Sequence, residues 1–198
     1  MSFKAVSDFE EKIAKFYGAP YALAVDCCTH GVELCLRQQN IKSITIPKRT
    51  YLSIAFLAQK LNIELKWKDE EWKDFYYIGE TNIIDAAVLW KPNSYIPGTF
   101  MSLSFQFQKH LSLGRGGMIL LDNKRAKDEL KKLTYDGRLP DIPWREQNIK
   151  SMGYHYYMSP ETASNGLKKL PEAINTKPKQ WLVSDYPDLT RMEIFKNG

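Results

Sequence analysis

Lys109 is the residue of this chain whose type and position best suit covalent chemistry. It stands shortly after a strand predicted at residues 101–105 and before the glycine-rich turn at residues 114–117 (GRGG). A lysine in such a place can be desolvated, which lowers its pKa and makes the amine a nucleophile. The alternative, favoured for any single lysine, is an ordinary surface side chain.

Asp85 is a second candidate, because it ends an apolar stretch and is followed by two alanines. A carboxylate at a strand end is expected to be partly buried, and a buried carboxylate needs a cationic or N–H⁺ partner. The alternative is an aspartate that only caps the next turn.

Residues 26–31 (DCCTHG) join a predicted strand to the start of a predicted helix. Free N–H groups and the helix dipole favour an anion there, typically a phosphate, and the small Cys28 and Thr29 allow a close approach. Thr29 could instead be only the helix N-cap. Ser104 could donate its hydroxyl to a phosphate or merely belong to the strand before Lys109. No GxGxxG or GKS/T pattern is present, so a dinucleotide or nucleoside triphosphate cradle is not supported.

The histidines and cysteines point to no further chemistry. His110 and His155 have no serine or cysteine partner at a known spacing, so nucleophilic triads are weak interpretations. The three cysteines form neither a disulfide framework nor a CxxC pattern, and no metal site is expected. Cys27 and Cys28 are interpreted as small residues of a turn or of the core.

The candidate residues can form one site only if the strands that carry them end near one another. Short apolar segments that alternate with helical segments predict such strands. Strands are predicted at 21–25, 43–46, 63–67, 82–84, 101–105 and 118–121, and helices before residue 18, from residue 32, and at 51–61, 124–133 and 159–170. The Ser7–Glu10 spacing of a capping box predicts that the first helix begins at Ser7. This alternation predicts an α/β fold with a mostly parallel sheet flanked by helices, and ligands then bind at the carboxyl ends of the strands.

Composition fits a globular protein of this kind. The 198 residues are 43 % hydrophobic, and 28 Lys+Arg against 23 Asp+Glu give a formal charge of +5. No apolar run approaches the roughly 18 residues of a membrane span, and the first residues lack a signal-peptide core, so a cytoplasmic protein without membrane contact is expected. Lysine-rich stretches are interleaved with acidic and apolar residues, which favours solvated helix faces over nucleic-acid binding.

Five segments, taken in order, resemble the DegT/StrS-type sugar aminotransferases, which are pyridoxal-phosphate (PLP) enzymes of fold type I. The likeness runs from about Phe9 to Leu170. The segments are FEEKIAKFYGAPYALAVDCCTHGVEL (9–34), IPKRTYLSIAFLAQKLNIEL (46–65), IIDAA (83–87), SLSFQFQKHLSLGRGGMILLD (102–122) and GYHYYMSPETASNGLKKL (153–170).

The resemblance implies the fold of the large PLP-binding domain and a role for each matched residue. Lys109 would form the internal aldimine with PLP and move the proton of the 1,3-shift, and Asp85 would bond the pyridine N–H⁺. The remaining matches are the ring-stacking aromatic Tyr51, the phosphate-holding Ser104, Cys28 and Thr29, and Gln106 beside the ring. In this family a neighbouring subunit completes the site, so a homodimer with a shared active site is implied, with residues 153–158 near the contact.

The chain departs from the family pattern at several positions that touch the same site. These are Ile84 for a glutamate, Val88 for a histidine or glutamine, His30 for a small residue, Arg115 for the glutamate of GEGG, and His155 and Tyr157 for an asparagine and an arginine. The stretch between Trp67 and Ile83 is also shorter than in the family, and only a short tail follows where the family has a small C-terminal domain. We therefore divide the chain into a PLP-binding-like α/β domain (1–174) and a C-terminal tail (175–198).

The expected function is a PLP-dependent aminotransferase that uses Lys109 to act on a nucleotide-linked keto sugar, with glutamate as the amino-acid donor. One alternative is a non-catalytic or partner-dependent remnant of the same fold. Another is a PLP/PMP-dependent sugar dehydratase, which carries histidine at the lysine position. Transamination is preferred because the spacing from Ser104 puts Lys109 at that position and His110 one residue late.

Overall fold

The computed structural model describes residues 3–196, which contain seven strands and five α-helices. The strands are β1 (Tyr21–Val25), β2 (Ser43–Pro47), β3 (Glu64–Lys68), β4 (Tyr76–Tyr77), β5 (Ile83–Asp85), β6 (Phe100–Ser104) and β7 (Gly117–Leu121). The helices are α1 (Lys4–Tyr17), α2 (Cys28–Gln38), α3 (Leu52–Leu61), α4 (Lys124–Thr134) and α5 (Pro160–Asn175). Five strands form one sheet in the order β1-β7-β6-β5-β4, and β2 pairs with β3 in a second sheet.

The α/β class is confirmed, but the expected predominance of parallel pairs is not met. The pairs β1–β7, β6–β7 and β4–β5 are antiparallel, whereas β5–β6 and β2–β3 are parallel. A strand buried on both faces is a continuous apolar run whichever way its neighbour points, so the sequence pattern does not reveal direction.

Strand β7 shows how the sheet separates two hydrophobic cores. Its alternate residues Met118 and Leu120 pack with helix α1 residues such as Phe9 and Ile13 on one face. Ile119 and Leu121 pack with α2 and α3 side chains on the other face. The sheet is therefore covered on both sides, and the ends of its strands are left for a ligand site.

Helix α1 begins at Lys4, one turn before the predicted start at Ser7, so the Ser7–Glu10 capping box is wrong. Phe3 contacts the ring of Tyr135 at 5.3 Å and Val6 is buried, which extends the apolar stripe of the helix. Glu10 lies buried, and its carboxylate accepts the Ala24 N–H of β1 at 2.8 Å. Among residues 3–196, no helix combines the length and apolar character required to cross a membrane.

After α5 the chain turns back across the strand ends in short 3-10 turns at Val183–Asp185, Leu189–Arg191 and Glu193–Phe195. We call residues 181–192 the C-terminal segment. Leu189 of this segment is completely buried, and its N–H donates to the Lys48 carbonyl oxygen at 2.9 Å. Arg49 donates to the Tyr186 carbonyl oxygen at 2.9 Å, so the segment is fastened to the residues that follow β2.

Candidate active site

A cavity of about 730 Å³ lies where β5 and β6 end and where α2 and α3 begin. Its volume is in the range of small-molecule sites, about 300–1,000 Å³. All seven residues singled out by the sequence line it, namely Lys109, Asp85, Tyr51, Ser104, Cys28, Thr29 and Gln106. The structure therefore brings the candidates together, and their individual roles stay predictions.

Asp85 is the last residue of β5 and is 5 % exposed. Its carboxylate accepts the Tyr76 hydroxyl at 2.7 Å and the Ala87 N–H at 3.0 Å, and the Cys28 thiol lies 3.8 Å from Oδ1. Burial raises the pKa of Asp85, and the Tyr76 hydrogen bond opposes that rise. The donors around the carboxylate favour its ionised form inside a low-dielectric site.

Lys109 lies in the turn after β6, where its N–H donates to the Gln106 carbonyl oxygen at 2.8 Å. Burial lowers the pKa of Lys109, while the charge of Asp85 acts in the opposite direction. The neighbouring His110 is directed elsewhere, with Nε2 at 2.8 Å from the Ala173 carbonyl oxygen of α5. Lys109, and not His110, is therefore the side chain that this turn presents to the cavity.

The first residues of α2 pack closely against strands β6 and β7 of the sheet. The Ser102 hydroxyl of β6 donates to the Cys28 carbonyl oxygen at 3.0 Å. A Cβ on Gly117 would lie 2.5 Å from the carbonyl carbon of Cys27, so only glycine allows this approach of β7. Burial raises the pKa of the Cys28 thiol well above its usual value, which argues against a nucleophilic thiolate there.

Thr29 does not cap α2, because Cys27 is the N-cap residue and no side-chain hydrogen bond caps the helix. The Thr29 hydroxyl instead lies 2.6 Å from the Ser53 hydroxyl in the first turn of α3. Ser53, which the sequence analysis missed, also lines the cavity. The N-termini of two helices thus meet at one end of the cavity.

A charged cluster stands at the same end. Asp26 lies 2.7 Å from His30 Nδ1, and the Arg115 guanidinium donates to its other oxygen at 2.7 Å. Burial would lower the pKa of His30, but the bonds to Asp26 and Cys27 raise it to about 9. Burial would raise the pKa of Asp26, yet His30 and Arg115 hold it below its usual value. At neutral pH the cluster has two cations and one anion, a net positive charge beside the start of α2.

The three remaining candidates lie around the Lys109 turn and the start of α3. Ser104 ends β6, and its hydroxyl oxygen accepts the Gln106 N–H at 3.4 Å. The Gln106 side-chain oxygen accepts the Gln108 N–H at 2.9 Å, so this side chain stiffens the turn. Tyr51 is the N-cap residue of α3 and is 62 % exposed.

An aromatic wall, which the sequence analysis did not foresee, closes another side of the cavity. We use this name for Trp181, Tyr186, Trp72 and Tyr76. Consecutive rings lie 6.3, 5.4 and 5.4 Å apart, and Tyr76 bonds Asp85 at the far end. The aromatic residues were visible in the sequence, but no local spacing connects positions 72–76 with 181–186.

Known proteins resemble this chain in sequence and in fold. The family model described as "DegT/DnrJ/EryC1/StrS aminotransferase family" matches residues 1–77 and 97–183. The uncharacterized protein MJ1066 of Methanocaldococcus jannaschii is 23 % identical, over 83 % of this chain and 56 % of its own length.

Two solved structures share the fold. AtS13 from Actinomadura melliaura matches with a TM-score of 0.76 and 18 % identity over 88 % of this chain and 61 % of its own. The PLP form of Spr1654 from Streptococcus pneumoniae, a protein assigned as a sugar aminotransferase, matches with a TM-score of 0.71 and 15 % identity over 86 % and 60 %. Spr1654 is also solved in a PMP form.

The chain spans 56 to 61 % of the length of these relatives. Its fold is that of the fold type I sugar aminotransferases, and the family match covers most of its residues. This chain belongs to the DegT/DnrJ/EryC1/StrS aminotransferase family.

Proposed function

We propose that the protein is a PLP-dependent aminotransferase that transfers an amino group from glutamate to a nucleotide-linked keto sugar, with Lys109 as the reacting amine. The observation that carries the proposal is that one cavity contains both a desolvated lysine, Lys109, and a buried carboxylate, Asp85. Family membership and the PLP and PMP forms of Spr1654 support PLP as the cofactor.

The residues of the cavity fit PLP in three respects. Asp85 supplies a carboxylate, already held by Tyr76 and Ala87, for the protonated ring nitrogen. Lys109 supplies an amine whose lowered pKa increases the share of the nucleophilic free base. The uncapped start of α2 supplies N–H donors for a phosphate.

When bound, PLP supplies an electron sink at the reacting carbon. Asp85 would hold the protonated ring nitrogen, and its burial would strengthen that interaction because little water competes. Lys109 Nζ would move a proton between two carbons, a role for which the amine must stay inside the cavity and change its protonation state. The stiff turn from Ser104 to Lys109 supports that positioning.

The charged cluster of Asp26, His30 and Arg115 would add to the phosphate site. Its net positive charge lies beside the backbone of Cys28 and Thr29, where the helix dipole also favours an anion. Arg115 is 66 % exposed in its side chain and also lines the cavity, so one face of its guanidinium is open to an acidic group of a substrate.

A homodimer belongs to the same proposal. Residues 138–152 carry four exposed apolar side chains, Ile142, Trp144, Ile149 and Met152. Such a group favours contact with another protein surface. Sedimentation is expected to give twice the chain mass of 23.0 kDa, and Trp144→Glu to shift the mass toward the monomer. A monomeric wild-type protein at working concentration would contradict the shared site.

The test is titration of the purified protein with PLP, followed by absorbance. A yellow, lysine-bound cofactor is expected in the wild type and in a control Lys66→Ala, because Lys66 lies exposed on β3. Lys109→Ala should not form the yellow species. A wild type that remains colourless with added PLP would overturn the proposal. Transfer of the amino group from glutamate to a keto sugar then separates an enzyme from a PLP-binding remnant.

A further inference from the structure

Trp181 of the C-terminal segment meets Lys109 across the cavity. Lys109 Nζ lies 4.4 Å from the centroid of the Trp181 ring, and Lys179 Nζ lies 4.1 Å from it. Both distances are within the range of a cation–π interaction, for which tryptophan is the best aromatic partner. The indole therefore contacts two ammonium groups, that of Lys109 in the cavity lining and that of the exposed Lys179.

The indole also contacts the other rings of the aromatic wall. Its ring contacts Tyr186 at 6.3 Å, and Tyr186 contacts Trp72 at 5.4 Å. The Trp72 indole N–H donates to the Arg49 carbonyl oxygen at 2.8 Å, and Arg49 in turn donates to Tyr186. Leu189 of the same segment is fully buried. Together these contacts hold Trp181 in place at one end of the aromatic wall.

The other surroundings of Lys109 have opposing effects on its charged form, so the contact with Trp181 matters for that form. Burial and the charge of Lys179 disfavour its charged form, whereas the charge of Asp85 favours it. A π face attracts the ammonium but gives no comparable attraction to the neutral amine. The indole can thus hold the protonated side chain and release it when the proton leaves.

We propose that Trp181 is a positioning residue for Lys109: its indole face holds the Lys109 ammonium in the cavity until the amine gives up its proton. The functional meaning rests on the proposed role of Lys109, whereas the contact itself can be tested without any cofactor. Failure of PLP titration and failure of this test are therefore separate results.

The experiment is competitive acetylation of lysines with trace acetic anhydride at neutral pH, read for Lys109 by peptide mass spectrometry. Exposed Lys66 serves as the internal reference. Trp181→Leu keeps apolar cover but removes the π face, so Lys109 should be acetylated about threefold faster or more. Trp181→Phe keeps a ring and should stay close to the wild type. Leu182→Ala, at an exposed neighbour of Trp181 outside the cavity lining, should leave Lys109 unchanged.

An unchanged or slower rate in Trp181→Leu would overturn the proposal, and so would equal acceleration in Trp181→Leu and Trp181→Phe or acceleration in Leu182→Ala. A second measurement keeps Trp181 itself in place. The indole N–H signal of Trp181, assigned by its loss in Trp181→Phe, should move in Lys109→Met and remain near its wild-type position in Lys109→Arg. Identical signals in Lys109→Met and the wild type would also contradict the proposal.

Discussion

Burial acts in opposite directions on the pKa values of Asp85 and Lys109, which both line the cavity. It raises the pKa of Asp85 and lowers the pKa of Lys109, because a low-dielectric site disfavours charge of either sign. The charges of the two groups oppose these shifts, so each moderates the other. The lowered pKa of Lys109 increases the share of its free amine, which the proposed transfer of a proton between two carbons requires.

Tyr76 tests how far the Asp85 carboxylate depends on its donors. Tyr76→Phe removes the hydroxyl that lies 2.7 Å from Asp85 and 2.6 Å from Thr50. Loss of a buried hydrogen bond should lower the free energy of unfolding by about 1–2 kcal/mol and weaken PLP binding roughly threefold or more, because the pKa of Asp85 rises further. Urea unfolding and PLP titration measure both effects. Tyr77→Phe, at a 37 % exposed neighbour, should change neither, and an unaffected Tyr76→Phe would contradict this role.

His30 gives a pH dependence with a definite sign. Its pKa is about 9 in the folded chain and near 6.5 in a free histidine, so the folded state binds the proton more tightly. This contribution to stability is complete below about pH 6.5 and is lost as the pH rises toward 9. The loss should be about 1–2 kcal/mol once solvent screening of the partly exposed cluster is allowed for.

Unfolding free energies of the wild type and His30→Gln between pH 6 and pH 9 measure this effect. The gap between the two proteins should be widest at the acid end and close toward about pH 9. His155→Gln is the matched control, because that side chain is 69 % exposed. A constant gap across the range would show that the His30–Asp26 bond does not set the pKa of His30.

At the scale of elements, the cavity is built from the ends of strands and helices. Some of these ends can be recognised in the sequence and others cannot. The ends of β1, β5 and β6 carry polar residues after apolar runs, so Asp85, Ser104 and the 26–31 turn could be predicted locally. The direction of the strands could not be, since burial on both faces removes the alternation that distinguishes one arrangement from another. The start of α1 was predicted too late because Glu10 matches a capping spacing while its carboxylate actually serves β1.

The C-terminal segment is the element whose contribution the sequence least reveals. Pro187 and weak periodicity suggested a plain tail, yet Leu189 fills the space beside Lys48 and the segment supplies Trp181 and Tyr186 to the cavity. These contacts join residues far apart in the chain, and no local pattern encodes them.

Leu189→Ala tests whether the segment is anchored as described. Removing a fully buried leucine side chain should cost about 2–4 kcal/mol of local stability, because the cavity that remains cannot be refilled easily. Amide hydrogen exchange in residues 181–192 should become faster, while exchange in β6 and β7 should change little. Leu182→Ala, at a 61 % exposed neighbour, should leave exchange in the segment as in the wild type. Unchanged protection in Leu189→Ala would rule out the anchor.

At the scale of the whole molecule, one cavity is lined by residues within 27–54, 72–88, 104–116 and 181–192, which are far apart in the chain. The sequence predicted the α/β class from its alternating strands and helices, and it predicted seven of the lining residues, of which Tyr51 and Gln106 came only from the family resemblance. The structure adds the aromatic wall and the helix-to-helix contact of Thr29 with Ser53. The family match covers residues 1–77 and 97–183, whereas the chain spans 56 to 61 % of its relatives' length. Its own C-terminal segment lies over the strand ends and forms part of the cavity wall.

The most direct test of the central claim is to trap the cofactor on its lysine. The wild-type protein is incubated with PLP, reduced with borohydride, digested and analysed by mass spectrometry. We expect one stoichiometric adduct, on Lys109, that is absent from Lys109→Ala and weakened in Asp85→Ala. An adduct spread over surface lysines, or one that persists in Lys109→Ala at the same level, would show that Lys109 does not bind the cofactor.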